Sequence, residues 1–229
     1  MHRALTIDAV KALRPVVIIG AGGHGREALE VLRAMNSTSA TFALVGVLDD
    51  DPRAEPKLHR VGAAYLGPPE RLGDLDACFV IAVGDPASRK RVDARVTPFG
   101  RELAVLVHPS ASVGDDVVLG PGTILNAGSR VTTFATLGRH VHLNTNATVA
   151  HDSELEDYVT VAPGASMAGT VHLGEGVFIG TNATILPGRT IGAWTVVGAG
   201  AVVTRDLPAG VTAFGVPARA SSRRAERRK

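Results

Sequence analysis

The apolar positions of this chain fall into two regimes. From Val107 to Val203 every sixth residue is aliphatic or methionine: Val107, Val113, Leu119, Leu125, Val131, Leu137, Leu143, Val149, Leu155, Val161, Met167, Leu173, Ile179, Ile185, Ile191, Val197 and Val203. Four residues after many of these the side chain is small, as at Ala111, Thr123, Ser129, Ala135, Ala147, Ala165, Ala183 and Ala201. Glycine often follows the aliphatic residue directly, as at Gly114, Gly120, Gly138, Gly174, Gly180, Gly192 and Gly198. A helix returns one face every 3.6 residues and a lone strand every second residue, so a period of six fits neither. It fits short parallel strands joined by tight turns, three to a coil, each coil burying its inner face only by stacking on its neighbours. At ~4.8 Å per rung, about five coils build a prism roughly 25 Å tall. The small residues and glycines are expected to let the backbone turn sharply.

Before Val107 the pattern changes. Val16-Val17-Ile18-Ile19 is a compact apolar run that leads into Gly20-Ala21-Gly22-Gly23-His24-Gly25, and Arg26 to Arg33 then has helical spacing. Phe42 to Leu48 predicts a second strand ending in Asp49-Asp50-Asp51, and Pro52 to Pro69 reads as loop. Cys78 to Val83 predicts a third strand ending at Gly84, Ala87 to Val96 a helix, and Leu103 to Val107 a last strand that hands over to the repeats. Alternating strands and helices predict a small parallel sheet of the Rossmann type. The fold class is therefore an α/β Rossmann-like N-terminal domain followed by a parallel β-helix. The expected division is an extension over 1–15, the Rossmann-like domain over 16–106, the β-helix over 107–206 and a C-terminal segment over 207–229.

The glycines at 20, 22 and 25 fit G-x-G-x-x-G between a strand and a helix. Such glycines let a ligand approach the backbone, and the helix start presents free N–H groups to a phosphate. Asp49, closing the second strand, stands where such folds place a carboxylate for a ribose or base. Together these point to a nucleotide moiety.

Composition narrows the partners. Only 4% of the residues are aromatic, which suits a narrow aliphatic interior, and a net charge of +2 is too small to imply a nucleic-acid surface. The basic stretch Arg219 to Lys229 reads as a solvated end. A single cysteine, Cys78, leaves no intramolecular disulfide framework and suits a reducing, cytoplasmic setting. No apolar run reaches membrane-spanning length, and the first fifteen residues read as an amphipathic extension rather than a signal peptide.

The opening GAGGHGRE, the HPSA at His108 to Ala111, the hexads and the closing Phe214-Gly215-Val216-Pro217-Ala218-Arg219 make the chain resemble the bacterial sugar acetyltransferases of the NeuD and PglD type. The resemblance covers about Val16 to Arg219. It implies a left-handed β-helix, a homotrimer with active sites between prisms, acetyl-CoA as acyl donor, and a nucleotide-linked amino sugar or sialic acid as acceptor. It places His151 as catalytic base with Asp152 beside it. Transfer to an amine needs a group to take its proton, and an imidazole does this near neutral pH while a carboxylate orients the ring. The resemblance puts Gly22, Gly23, His24, Asp49, Asp50, Val83 and Gly84 on the nucleotide sugar, and Asn144, Thr160, Gly169, Thr181 and Ala199 along the acetyl-CoA seam. Thr160 departs from the family, whose members often carry a second histidine there; threonine cannot carry a proton at neutral pH. His140, His142 and His172 are expected at the surface, and His108 to be structural.

No resident metal is expected. Other readings are O-acetylation of sialic acid or a related sugar, a non-catalytic nucleotide-sugar-binding trimer, a zinc site built from His140, His142 and His151, and a dehydrogenase. The zinc reading lacks a reason for the Rossmann-like domain, and the dehydrogenase lacks a hydride-transfer domain.

Overall fold

The computed structural model describes residues 13–221, so most of the expected N-terminal extension and of the basic tail lies outside the described residues. The N-terminal domain opens with β1 (Arg14–Ile19), whose last four residues are buried on both sides. β1 is the centre of a three-stranded parallel sheet, flanked by β2 (Phe42–Leu48) and β3 (Cys78–Ile81). Burial on both faces is why these strands read as continuous apolar runs. α1 (Gly23–Thr38) connects β1 to β2, a short α2 (Glu55–Arg60) lies between β2 and β3, and α3 (Pro86–Val96) follows β3.

Two expectations need correction here. The stretch from Pro52 to Pro69 is not all loop. Asp51 accepts from Arg53 N at 3.0 Å, Pro52 takes the first position of a 3-10 turn, and α2 follows. The expected strand Leu103 to Val107 is also two structures: Leu103 bridges Phe79 of β3, whereas Leu106–Val107 pairs with Ile124–Leu125 as the first rung of the prism.

The repeats form three parallel sheets of two-residue rungs, and the second residue of each rung from Val107 to Val203 is the hexad aliphatic. The first face carries, in order, the rungs at Leu106–Val107, Ile124–Leu125, His142–Leu143, Thr160–Val161, Phe178–Ile179 and Val196–Val197. The second face runs from Ser112–Val113 to Val202–Val203 in six rungs, and the third from Val118–Leu119 to Thr190–Ile191 in five. The inward aliphatics from Leu125 to Val203 form one core, with Val107 and Leu119 packed against it and Val113, in the first coil, exposed; each full burial is worth roughly 1.5–3 kcal/mol.

The turn geometry refines the sequence reading. The left-handed position is the third residue after the inward aliphatic, occupied by Phe134, His140, Asn146, Asp152 and Tyr158 as well as by glycines. The glycines directly after the aliphatic serve a different need. A Cβ on Gly114 would lie 1.7 Å from the Thr132 carbonyl oxygen of the next rung. These glycines permit close stacking of coils rather than the turn itself.

The two domains share a buried seam. Leu106 and Ile124, pointing outward from the first face, join the core formed by Val16, Ile18, Leu29 and Leu32. On the next two rungs of that face, His142 and Thr160 are also buried, at 0% and 1% exposure. Beyond them Phe178 is half-buried and Val196 exposed. The hexads thus form a three-sided column with one side covered by the N-terminal domain.

Candidate active site

The glycine turn divides its residues between structure and ligand access. Gly20 has φ +113 and a Cβ there would sit 2.7 Å from the Ala82 carbonyl oxygen, while a Cβ on Gly25 would lie 1.8 Å from that of Gly20. These two close the turn against the sheet. Gly22 and Gly23 are exposed, with open space where a side chain would project. They start α1, whose first turn has no side-chain cap, and they line a cleft of about 470 Å³ together with Ala21, Arg26, Asp49, Asp51, Arg53 and Lys57. A helix start uncapped among the described residues, with Arg26 and Lys57 beside it, suits an anionic ligand, while Arg53 is paired to Asp51 at 2.8 Å.

Asp49 has a structural task. Its Oδ2 accepts from Ala21 N at 2.6 Å and its Oδ1 from Asp51 N at 2.8 Å. It pins the glycine turn to the end of β2 while lining the cleft. Asp50 points elsewhere, receiving both Nη atoms of Arg95 at 2.8 and 2.7 Å, and Arg95 also holds Glu70. Arg95 keeps the Asp50 carboxyl below its ordinary pKa. Sequence reasoning missed Arg26, Arg53 and Lys57. Arg26 follows the glycine turn immediately, so cations in the first turn of α1 were a usable signal. Arg53 and Lys57 lay in the stretch read as loop.

His24 turns from this cleft toward the prism. Its Nε2 is 2.9 Å from Nδ1 of His142, and its Nδ1 is 3.4 Å from Glu27 Oε2. Gly84, just past the end of β3, lies next to it, an added Cβ there reaching the His24 Cβ at 4.0 Å, while the Val83 side chain packs against Gly20.

The surface expectation for His140 and His142 is wrong, because the N-terminal domain covers the first face and its edge. His140 is fully buried, with Nε2 3.1 Å from Asp93 Oδ1. Asp93 also receives Arg139 at 2.6 Å and the Tyr158 hydroxyl at 2.6 Å. Burial alone would raise the Asp93 pKa, but the His140 ring at 3.1 Å and the hydrogen bonds from Arg139 and Tyr158 hold it well below the usual range. Burial pushes His140 down, and His142 well down, from the ordinary histidine value. His172 is half-buried and pairs with Glu156 at 3.0 Å. His108 holds the handover turn, its Nδ1 receiving Ser110 N at 3.0 Å.

His151 and Asp152 occupy the vertex where the second face turns into the third. Both side chains are 58% exposed, with His151 Nδ1 2.7 Å from Asp152 Oδ2. The ring lies over Gly169, one coil above: a Cβ there would be 2.4 Å from its Cε1. In a three-sided column this vertex is opposite the first face. His151 therefore stands across the prism from its own chain's glycine cleft, and across it from His140 and His142, the other two members of the zinc reading.

The acetyl-CoA candidates separate into three places. Thr181 and Ala199 are exposed at successive levels of the vertex between the first and second faces, and Asn144 begins the same turn lower down. Asn144 Oδ1 accepts from Asn126 Nδ2 at 3.2 Å. Gly169 lies against the His151 ring, one coil further along the column. Thr160 differs from the expected seam position, because it is sealed under the N-terminal domain. Its hydroxyl accepts from Arg89 Nη2 at 2.9 Å and donates to the Gly84 carbonyl at 3.2 Å. Among the described residues no helix is long and apolar enough to cross a membrane.

Residues 15–96 match the PglD N-terminal domain, and residues 170–205 match the bacterial transferase hexapeptide (six repeats). The chain is 35% identical over 217 residues to GDP-perosamine N-acetyltransferase of Escherichia coli O157:H7, covering 90% of this chain and 96% of that protein. Among solved structures it is similar to PerB from Caulobacter crescentus in complex with CoA and GDP-perosamine, with a TM-score of 0.84 and 36% identity over 92% of this chain and 99% of that one. It is also similar to the acetyltransferase domain of PglB from Neisseria gonorrhoeae in complex with acetyl coenzyme A, with a TM-score of 0.83 and 32% identity over 92% and 100% of the two chains.

Proposed function

The chain belongs to the NeuD/PglD-like hexapeptide-repeat acyltransferases, and from that premise we propose how its own residues divide the work. Its activity is acetyl-CoA-dependent N-acetylation of a nucleotide-linked amino sugar. The observation that carries the reading is the pairing of an open, cation-lined glycine turn with an exposed imidazole–carboxylate pair on one chain.

The acceptor's nucleotide occupies the cleft over Gly22 and Gly23. Its diphosphate meets the start of α1 and the cations Arg26, Arg53 and Lys57, and its sugar extends past His24 toward Val83 and Gly84. With GDP-perosamine bound by the PerB structure, a GDP-linked 4-amino sugar is the first acceptor to test. Acetyl-CoA supplies the acetyl group as a thioester and lies along the prism past Asn144, Gly169, Thr181 and Ala199.

His151 is the general base. Asp152 holds the Nδ1 proton, leaving Nε2 bare to take a proton from the amine as its nitrogen forms the bond to the acetyl carbon. The carbon–sulfur bond breaks, and the imidazolium returns that proton to the leaving thiolate. Because His151 lies opposite its own glycine cleft, the imidazole acting on a bound sugar comes from a second copy. A closed homotrimer supplies three such meetings of vertex and cleft. The setting is cytoplasmic, where nucleotide sugars and acetyl-CoA occur together.

The test is a panel of nucleotide amino sugars incubated with acetyl-CoA and read by mass spectrometry. One substrate should gain the mass of one acetyl group with release of CoA. Absence of transfer to every amino sugar, with transfer to a hydroxyl of sialic acid instead, would overturn the N-acetylation reading.

A further inference from the structure

The seam between the domains holds a buried cation that the transfer chemistry does not use. Arg89 leaves the first turns of α3 and is 0% exposed. Its Nη1 donates to the carbonyl oxygens of Val83 at 2.6 Å and Gly84 at 3.3 Å, in the loop that follows β3. Its Nη2 donates to the carbonyls of Tyr158 at 2.6 Å and Val159 at 3.3 Å, and to the Thr160 hydroxyl at 2.9 Å, all on the prism. That hydroxyl in turn donates to Gly84 at 3.2 Å. One guanidinium thus ties a loop of the N-terminal domain to a rung of the β-helix.

This is an expensive way to hold two surfaces together. A cation removed from water is penalised heavily, and an apolar side chain of similar volume often packs there at no loss of stability. Burial lowers the Arg89 pKa to about 9, and its Nε has no hydrogen-bond partner among the described residues. What the guanidinium provides that a hydrocarbon cannot is fixed geometry: a rigid, planar fork of donors reaching carbonyls on both sides. The place it fixes is specific. Thr160 and His142 are register neighbours on adjacent rungs. His142 meets His24 of the glycine turn at 2.9 Å while Thr160 meets Gly84. Adjacent rungs of one prism face therefore hold both loops at the carboxyl end of the small sheet.

We propose that Arg89 is a positioning residue: through Val83, Gly84 and the Thr160 hydroxyl it sets where the acceptor sugar lies relative to the prism. This rests on the acyl-transfer reading above, with the sugar at Gly84. A sugar displaced by about 1 Å from its attacking position loses up to roughly a hundredfold in rate, and this tie resists such displacement.

The test uses the full chain with Thr160→Val, which keeps shape and removes the hydroxyl, alongside Arg89→Lys and Arg89→Met. Steady-state kinetics are measured against each substrate, together with thermal unfolding. In folded Thr160→Val and Arg89→Lys, kcat/KM for the nucleotide sugar should fall roughly tenfold or more while KM for acetyl-CoA stays within about twofold. Lysine should fail to rescue, because it lacks the fork. Acceptor kcat/KM within about twofold of the parent in both variants, or restoration by lysine, would overturn the proposal. Should Arg89→Met not fold, Thr160→Val still decides the matter. The parent protein separates the two failures: with no transfer to any nucleotide amino sugar both readings fall, whereas a working parent with unaffected variants removes only this one.

Discussion

His142 and His151 stand half a coil apart in sequence and in opposite physical worlds. His142 points outward from a face of the prism and is fully buried, facing another imidazole, with its pKa pushed well down by desolvation. His151 sits on a vertex, more than half exposed, with a carboxylate at 2.7 Å and a glycine beneath its ring. The repeat treats both as outward positions. The difference is that a second domain covers one face and leaves the opposite vertex open. Desolvation holds the seam histidine neutral, suiting it to fix a neighbour, whereas the vertex histidine stays accessible, as the general-base role proposed for it requires.

The largest expected effect comes from removing the exposed member. His151→Ala should lower kcat by ~100-fold or more, the usual scale of a general base, with folding unchanged; near-normal turnover would remove His151 from that role. The contrast sharpens in mixed oligomers. Co-assembly of His151→Ala chains with chains carrying Arg26→Ala and Lys57→Ala should recover activity that neither possesses alone, if vertex and cleft come from different copies. Purified hetero-oligomers with no recovered turnover would place both on one chain.

A gentler perturbation acts on the surface beneath the vertex ring. Gly169 has no left-handed φ, so Gly169→Ala strains no backbone, but its Cβ must displace the His151 ring. A loss of roughly tenfold in kcat is expected from misplacing the base, without a change in thermal stability. A crystal structure of the variant with the ring unmoved would contradict this.

The buried member is tested through pH. His140 and His142 both have lowered pKa values in the folded seam. The unfolded chain takes up protons near the ordinary histidine value of about 6.5 that the folded seam refuses. Their contribution is therefore complete above that pH, and stability falls as pH drops through it. Denaturant unfolding between pH 8 and 5 should show this slope, and His142→Asn should flatten it. The smallest effect belongs to an exposed pair on the N-terminal domain: Asp50→Asn, breaking one contact of Arg95, should change stability by less than ~1 kcal/mol, as read by the same unfolding measurement.

Much of the molecule was legible because its repeats are local. A hexad rung needs only its own aliphatic residue and the next coil, so periodicity reported one inward ladder from Val107 to Val203, but not the second inward position that places Val141, Val159, Val171 and Val177 in the same core, nor that Val113 is exposed. The strand–glycine turn–helix at Ile19 to Gly25 was legible for the same reason, since the constraint on Gly20 and Gly25 arises within a few residues and at one neighbouring strand. The short helix after Asp51 was hidden because it is only six residues long and begins with prolines and charges. The split of Leu103 to Val107 between two sheets was hidden because a strand's sequence does not name its partner.

What the sequence by itself determined is a three-sided aliphatic column behind a small parallel sheet, and an imidazole–carboxylate pair at one of its turns. What only the tertiary structure decided is which side of the column is covered. That choice buried His140, His142 and Thr160, drew Arg89 into the seam, gathered Arg26, Arg53 and Lys57 around the glycine turn, and set His151 on the far vertex from its own cleft. The physical reason is that period fixes whether a side chain points in or out, while burial of an outward side chain depends on contacts with residues distant in sequence, which no local pattern encodes.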